Sequence, residues 1–197
     1  STEQSPAMTS ILESPDLSPE EVAARLLVTP SALDDLTLAD AVKIVGYMRP
    51  KRFAAGTVFI REGEVRRNDF MLLVLEGDIS VDSANPGDGE PLVYDVLGPG
   101  SLIGEMGMLD GGPRSANCTA VTDVAAAILT RTALMRLLRD VPRVGSRLLL
   151  AITKRLSDHL RETTRKLRTF AQMNKALQEE LLIVMNRRVG PAGSAGR

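Results

Sequence analysis

The chain has 197 residues, and its 44% hydrophobic content predicts one packed domain with appendages and excludes wholesale disorder. Lys and Arg total 24 against 25 for Asp and Glu, so the net charge of -1 gives no bulk attraction to nucleic acid or to an anionic membrane. The single cysteine, Cys118, excludes an internal disulfide and fits a reducing compartment, from which we expect a cytoplasmic protein. No apolar run approaches the roughly 18 residues that identify a membrane-spanning helix, so no membrane association is expected.

The N-terminal part predicts a flexible lead-in followed by two helices. Residues 1–17 are rich in Ser, Pro and Thr and predict a segment without packed structure. Ser18, a proline after it and Glu21 three positions on predict a capping box at a helix start. A second helix is predicted from Thr37 to Pro50, so the N-terminal helices occupy the segment from Ser18 to Pro50.

The sequence pattern of residues 51–142 is typical of a β domain with a short helix at its C-terminal end. Brief β-branched or apolar runs alternate with Gly and Asp, and glycines at these intervals indicate turns that need positive φ. About eight short strands with regular turns are typical of a small sandwich or barrel. One of the predicted turns lies at residues 85–89. The runs that we interpret as strands are residues 57–60, 71–75, 79–81, 92–97, 101–103 and 124–129, and the short helix is predicted at residues 133–138.

A long helix is predicted over residues 143–187, followed by a flexible Gly-rich tail at 188–197. Its apolar residues recur at steps of four and three for about five heptads, which is typical of a parallel two-stranded coiled coil. Asn174 falls at an a position, where a buried Asn favours two strands and one register. The predicted dimer seam consists of Leu149, Leu156, Leu160, Leu167, Phe170, Asn174, Leu177 and Leu181.

The alternative for this helix is that it lies along its own domain. A helix of roughly 40 residues spans about 60 Å, which exceeds the width of a barrel of this size. At least its second half therefore needs another partner, which we expect to be a second copy of the chain. Another coiled-coil protein could take the place of that copy.

The stretch GEMGMLDGGPRSA at residues 104–116 contains the groups that we expect to bind a ligand. Backbone N–H groups at the start of a short helix attract an anion, and Arg114 can add a charge-assisted pair to a phosphate. Ser115 can donate a hydroxyl hydrogen bond, whereas Glu105 can accept one from a sugar hydroxyl but would repel a bare phosphate. Phosphate donors beside a hydroxyl acceptor predict a phosphorylated sugar as the ligand.

This stretch resembles the phosphate-binding cassette of cyclic-nucleotide-binding domains, as found in bacterial catabolite activators and in the regulatory subunits of cyclic-AMP-dependent kinase. In that family a Gly-Glu pair precedes an apolar helical turn, and a Pro-Arg-Ser/Thr/Ala element closes the cassette. The resemblance runs from about residue 36 to residue 160 and includes AGTVFIREG at 55–63 and LEGD at 75–78. It implies an α+β fold: an antiparallel β-roll (a double-stranded β-helix, jelly-roll-like) flanked by N-terminal helices and a long C-terminal coiled-coil helix.

By position, the resemblance also implies roles for the cassette residues. Arg114 would hold the equatorial oxygen of the cyclic phosphate, Ser115 and the cassette backbone would help to hold it, and Glu105 would take the ribose 2′-hydroxyl. On the long helix, Arg155 matches the arginine that pairs with the cassette glutamate in the catabolite activators.

The base would lie between the roll and the helix, near His159, Leu160 and Thr163. The activators place small hydroxyl residues about one turn after their arginine, whereas this chain has Thr163 only later, so its base preference stays open. Cyclic AMP is the regulatory ligand that the activator resemblance favours, and no cofactor is expected. The predicted ligand-binding residues are Ile103, Gly104, Glu105, Met106, Gly107, Arg114, Ser115, Ala116, Arg155, His159 and Thr163.

The histidine content argues against an enzyme. Many double-stranded β-helix enzymes bind a metal through two or three histidines and a carboxylate, but the single histidine here, His159, lies on the predicted long helix. A Ser-His-Asp triad cannot be assembled on a roll without a histidine. We therefore predict no catalytic residue, no metal site and no enzymatic activity.

Two other functions are alternatives to that of a receptor. A DNA-binding transcription regulator of the activator type needs a helix-turn-helix after the long helix, but only a short Gly-rich tail follows Met185, so nucleic-acid binding is not expected unless the chain is truncated. A ligand-free dimeric scaffold conflicts with an intact set of Gly104, Glu105, Arg114 and Ser115. The favoured prediction is a homodimeric receptor that signals through its coiled coil to an unidentified protein partner.

Overall fold

The computed structural model describes residues 17–83 and 92–188, which contain five helices and eight strands. The predicted turn at 85–89 lies outside the described residues, as do nearly all of the predicted lead-in and tail. The helices are α1 (Pro19–Leu27), α2 (Leu38–Val45), α3 (Glu105–Asp110), α4 (Arg131–Asp140) and α5 (Pro142–Arg188). The strands are β1 (Arg49–Phe53), β2 (Val58–Ile60), β3 (Phe70–Glu76), β4 (Ile79–Ser83), β5 (Leu92–Leu97), β6 (Leu102–Ile103), β7 (Asn117–Ala120) and β8 (Val124–Thr130).

Helix α1 begins at the predicted capping box. The Glu21 amide donates to Ser18 Oγ at 3.2 Å, and the Ser18 amide donates to Glu21 Oε2 at 2.8 Å. This reciprocal pair satisfies two N–H groups that a helix start would otherwise leave without a partner. The capping box is therefore confirmed.

Helix α2 begins after Thr37 as predicted, but the prediction that it continues to Pro50 is wrong. The helix ends at Val45 with Gly46 as its C-cap, and strand β1 begins at Arg49. Strand β1 pairs only with β8, at the edge of its sheet, where a proline can be accommodated. Its sequence RPKRF is mostly charged and exposed, so it lacks the apolar alternation by which a strand is recognised.

The strands form two four-stranded antiparallel sheets, in the orders β1-β8-β3-β6 and β2-β7-β4-β5. Along much of the chain, successive strands alternate between the sheets, which is the winding of a double-stranded β-helix. The predicted α+β fold with an antiparallel β-roll is therefore confirmed. The predicted strands all occur, whereas β1 and β7 were not singled out in the sequence.

The core fills the space between the two sheets. Strand β3 is a continuous apolar run because the other sheet and helix α1 both pack against it. The fully or nearly buried members of this core are Ile60, Leu72, Val74, Ile79, Ile103, Cys118, Ala120, Val124 and Ala126.

Helix α5 spans two compact units, residues 1–153 and residues 154–197. Within the first unit its opening turns bury Val144, Leu148 and Ile152, which recur at steps of four. In the second unit the described residues are helical up to Arg188. Across the described ranges, no helix combines the length and the hydrophobicity that crossing a membrane requires.

Candidate functional site

The cassette begins where the short strand β6 turns into helix α3. Gly104 makes this turn with φ of 86°, in the left-handed region that favours glycine. A Cβ at this position would lie 2.5 Å from Arg114 Nη1 and 3.0 Å from the Phe70 carbonyl oxygen. Glycine is therefore required here both by the backbone conformation and by the arginine that lies against it.

Arg114 is buried, with 6% of its surface exposed. Its Nη1 donates to the Gly104 carbonyl and its Nη2 to the Phe70 carbonyl, each at 3.0 Å. The guanidinium carbon also lies 4.5 Å from the centroid of the Phe70 ring, within the range of a cation–π contact. These contacts hold the guanidinium beside the start of α3.

The Arg114 guanidinium is a desolvated cation. Burial lowers its pKa, and nearby acidic groups, Glu64 and Asp69 among them, oppose part of that shift. Arginine remains protonated at neutral pH despite such a shift. A positive charge held in this way favours the approach of an anion.

The loop between β2 and β3 holds the backbone of Arg114. The Gly63 amide donates to the Arg114 carbonyl at 2.8 Å, and the Arg114 amide donates to the Glu64 carbonyl at 3.0 Å. This reciprocal pair fixes the chain immediately after the Gly-Gly-Pro hinge. The sequence resemblance included Gly63 but assigned it no contact with the cassette.

Sequence reasoning missed Asn68 in the same loop. Its side-chain amide is buried and donates to the carbonyls of Gly111 and Gly112, at 2.8 Å and 2.7 Å. An Asn-Asp pair before a strand is typical of an exposed turn, so nothing local distinguishes it. Only its distant contact with the hinge reveals what it does.

The first unit contains eight of the predicted ligand-binding residues, on one segment from β6 to the start of β7. Among these, Ile103, Gly107 and Arg114 are buried, Met106 and Ser115 are exposed, and the others are half-buried. Exposed Ser115 directly follows buried Arg114, so a hydroxyl lies next to the cation along the chain. Such a neighbourhood offers hydrogen-bond donors to a phosphate.

The other predicted ligand-binding residues, Arg155, His159 and Thr163, lie in the second unit. His159 and Thr163 are exposed on α5, and the Thr163 hydroxyl donates to the His159 carbonyl at 2.9 Å. The pairing of Arg155 with Glu105 and the base site near His159 stay predictions. In the part of the chain that the structure describes, no three His, Cys, Asp or Glu side chains are grouped so that they could hold a metal ion.

Comparison with known proteins agrees with this architecture. Residues 50–141 match the family model of the cyclic nucleotide-binding domain. The chain is 30% identical over 129 residues to the CRP-like cAMP-activated global transcriptional regulator of Mycobacterium tuberculosis, which covers 66% of this chain and 53% of that protein. The chain thus spans about half the length of this curated relative.

Two solved structures are similar to the chain. A cyclic nucleotide-binding domain from Methylobacillus flagellatus superposes with a TM-score of 0.63 at 29% identity, covering 73% of this chain and 79% of that one. The N-terminal domain of a transcriptional regulator from Streptomyces coelicolor superposes with a TM-score of 0.58 at 30% identity, covering 70% and 94%.

The family match extends from β1 through α4 and therefore includes both sheets, helix α3 and the buried arginine. Sequence, sheet topology and solved structures agree on the same assignment. Residues 50–141 of this chain are a cyclic nucleotide-binding domain.

Proposed function

We propose that this protein is a cyclic-nucleotide receptor, with cyclic AMP as its regulatory ligand, which acts as a dimer on a protein partner. The observation that carries the proposal is the buried Arg114 guanidinium, which donates hydrogen bonds to the carbonyls of Gly104 and Phe70 beside the start of the cassette. Burying a cation costs free energy unless an anion or hydrogen bonds offset that cost. A phosphate supplies both.

The chemistry around Arg114 favours a cyclic phosphodiester on a sugar over inorganic phosphate. Ser115 and Arg114 would donate hydrogen bonds to the phosphate oxygens. Half-buried Glu105, at the first position of α3, would repel a bare phosphate but accept a hydrogen bond from a ribose hydroxyl. Together these residues match a ligand with one negative charge and a neighbouring hydroxyl.

Cyclic AMP is favoured over cyclic GMP because the Mycobacterium tuberculosis relative is named for activation by cyclic AMP. That relative is a transcriptional regulator almost twice as long as the aligned region, so its role in transcription is not carried over to this chain. The downstream partner that we propose is a protein that the dimer recognises.

The apolar stripe of α5 supports the proposed homodimer. In the single chain, five seam residues of the second unit keep more than half of their surface exposed, although they are large and hydrophobic. An exposed apolar stripe of this kind marks an interaction surface, and its heptad spacing fits a second identical helix. The five residues are Leu160, Leu167, Phe170, Leu177 and Leu181.

The proposed switch couples nucleotide binding to the long helix. A ligand can shift the helices only to the extent that it binds one arrangement more tightly than another. Small-angle scattering with and without saturating cyclic AMP measures this coupling. An unchanged scattering profile would refute the switch while leaving nucleotide binding intact.

The binding proposal is tested by calorimetric titration of the nucleotide-free protein with cyclic AMP and with cyclic GMP. We expect tighter binding of cyclic AMP and loss of at least a hundredfold in affinity in Arg114→Ala, because a hydrogen-bonded charge pair contributes about 3 kcal/mol or more. Arg136→Ala is the matched control, since Arg136 lies over the Tyr47 ring outside the cassette. Absence of binding by a folded dimer would favour a scaffold or a different ligand.

A further inference from the structure

Asn68 is one of the few polar side chains buried in the described residues, with 7% of its surface exposed. Its Nδ2 atom donates to two successive carbonyls, those of Gly111 and Gly112. Both acceptors are more than 40 positions away in the sequence and belong to the hinge between helix α3 and Arg114. The Asn68 side chain thus donates both of its amide hydrogens to the segment that immediately precedes Pro113 and Arg114.

The hinge has little conformational preference of its own. Gly111 adopts φ of 71°, and two adjacent glycines lose more conformational freedom on ordering than any other pair of residues. Within the segment, the Gly111 amide donates to the Gly107 carbonyl at 3.0 Å and the Gly112 amide donates to Asp110 Oδ1 at 2.7 Å. The two hydrogen bonds from Asn68 add a restraint from outside the segment, because they join the Gly111 and Gly112 carbonyls to the β2–β3 loop.

The backbone of Asn68 also lies close to helix α3, which precedes the hinge. A Cβ placed on Gly107 would lie 3.0 Å from the Asn68 carbonyl oxygen and 3.2 Å from Arg114 Nη1. Asn68 therefore contacts the middle of α3 with its carbonyl and the residues after α3 with its side chain. Between these two contacts, residues 107–112 have little freedom to move relative to Arg114.

The hydrogen bonds from Gly63 and Glu64 in the same loop to Arg114 use backbone atoms on both sides. Phe70, at the start of β3, accepts from the Arg114 guanidinium through its carbonyl and contacts it with its ring. Asn68 makes its contact with the hinge through a side chain, so substitution can remove it without altering the loop backbone.

We propose that Asn68 is a positioning residue for the nucleotide site, which sets the direction of the hinge and thereby places Arg114 and Ser115 for the phosphate. This inference rests on the proposed function. Asn68 does not touch the ligand; it acts by fixing the Gly111 and Gly112 carbonyls. Without the two hydrogen bonds from Asn68, the hinge adopts other conformations, in which Arg114 and Ser115 no longer point to the same phosphate.

Two substitutions separate hydrogen bonding from shape. Asn68→Ala removes both donors, whereas Asn68→Asp keeps the shape but at neutral pH places a carboxylate with no hydrogen against two carbonyl oxygens. We expect both variants to bind cyclic AMP about tenfold more weakly than the wild type in calorimetry, as the loss of two neutral hydrogen bonds implies. Wild-type affinity in Asn68→Asp would show that only shape matters and would overturn the proposal.

A control distinguishes positioning from general stability. The Asp123 carboxylate accepts a hydrogen bond from the Ala55 amide at 2.9 Å, which joins two turns other than the hinge. Asp123→Ala should lower the melting temperature while leaving the dissociation constant for cyclic AMP unchanged. Hydrogen exchange of the nucleotide-free protein provides the second readout: Asn68→Ala should speed exchange across residues 111–116 and leave the sheets protected.

The outcomes are separable from those of the proposed function. If the wild type binds cyclic AMP and the Asn68 variants bind it equally well, this inference alone is refuted. Faster exchange throughout both sheets, in step with weaker binding, would reduce Asn68 to a structural role and also refute it. If the wild type binds no cyclic nucleotide, the proposed function fails and this inference fails with it.

Discussion

At the scale of single residues, the candidate site depends on small side chains as much as on charged ones. The Arg114 guanidinium lies where side chains on Gly104 and Gly107 would otherwise extend. The motif pointed to Arg114 and to both glycines as ligand-binding residues, and that role stays a prediction. That the glycines make room for the arginine follows from the folded chain, because the contacts join Arg114 to residues ten and seven positions before it.

Cys118 gives a pH-dependent prediction at this scale. Burial in the core between the sheets raises the pKa of its thiol from 9.0 to about 12. The unfolded chain therefore loses this proton first, and the free energy of unfolding should fall by about 1.4 kcal/mol per pH unit between about pH 9 and pH 12 from this group.

Urea unfolding at pH 8 and pH 11 of the wild type and of Cys118→Val measures this effect. Other groups also titrate in this range, but they are common to both proteins, so the difference between the two pH slopes isolates the thiol. Identical slopes would contradict the prediction. The same burial should protect Cys118 from alkylation at neutral pH, because the thiolate is the reactive form.

At the scale of elements, a partly buried ion pair joins α2 to the first turns of α5. Arg147 Nη1 donates to both carboxylate oxygens of Asp40, at 2.9 Å and 3.2 Å, and the Thr37 hydroxyl donates to the same carboxylate at 2.8 Å. Burial by itself would raise the pKa of Asp40, but the hydrogen bonds from Thr37 and Arg147 outweigh it and lower the pKa. The N-terminal helices are thus tied to the start of the long helix.

Asp40→Asn should lower the free energy of unfolding at pH 7 by about 1–2 kcal/mol, a modest value because the Arg147 side chain is nearly half exposed. A depressed carboxyl pKa contributes stability above the unfolded pKa, near 3.8, and that contribution is lost as pH falls through the folded value. Denaturant unfolding at pH 7 and at pH 3 should show that the difference in free energy of unfolding between wild type and variant, the stability gap, is smaller at pH 3. A gap that is independent of pH would rule out the ion pair as its cause.

At the scale of the whole molecule, the question is what covers the apolar stripe of α5. Beside the seam, Leu182 and Ile183 are also exposed, at positions outside the heptad stripe. They provide a matched comparison, because the same substitution can be made on and off the seam within a few residues. Association by a two-stranded coiled coil predicts opposite outcomes for the two pairs.

Leu177→Asp with Leu181→Asp should weaken the proposed dimer at least a hundredfold, because a buried leucine contributes about 1.5–3 kcal/mol. Leu182→Asp with Ile183→Asp adds the same charge and should leave the dimer intact. Sedimentation equilibrium over a range of protein concentrations compares the two. Equal weakening by both pairs would indicate a different mode of association.

Much of the fold could be predicted from local pattern. The capping box at Ser18, the strand at β3 and the start of α5 depend on neighbours in sequence, and each was confirmed. Strand β1 could not be predicted in the same way, since its charged residues form a strand only because β8 offers a partner more than 70 positions later. Its pairing belongs to the tertiary structure.

The sequence by itself determined the roll and pointed to Arg114 as the cassette arginine, whose role in binding stays a prediction, because glycines, turns and an arginine at set spacing are local signals. Only the tertiary structure decided what surrounds that arginine: the Phe70 carbonyl and ring, the Gly63–Glu64 pair and the Asn68 amide on the hinge. The physical reason is the same for each. Hydrogen bonds and packing across many intervening residues arise when chain segments meet, and no periodicity in the sequence records which segments will do so.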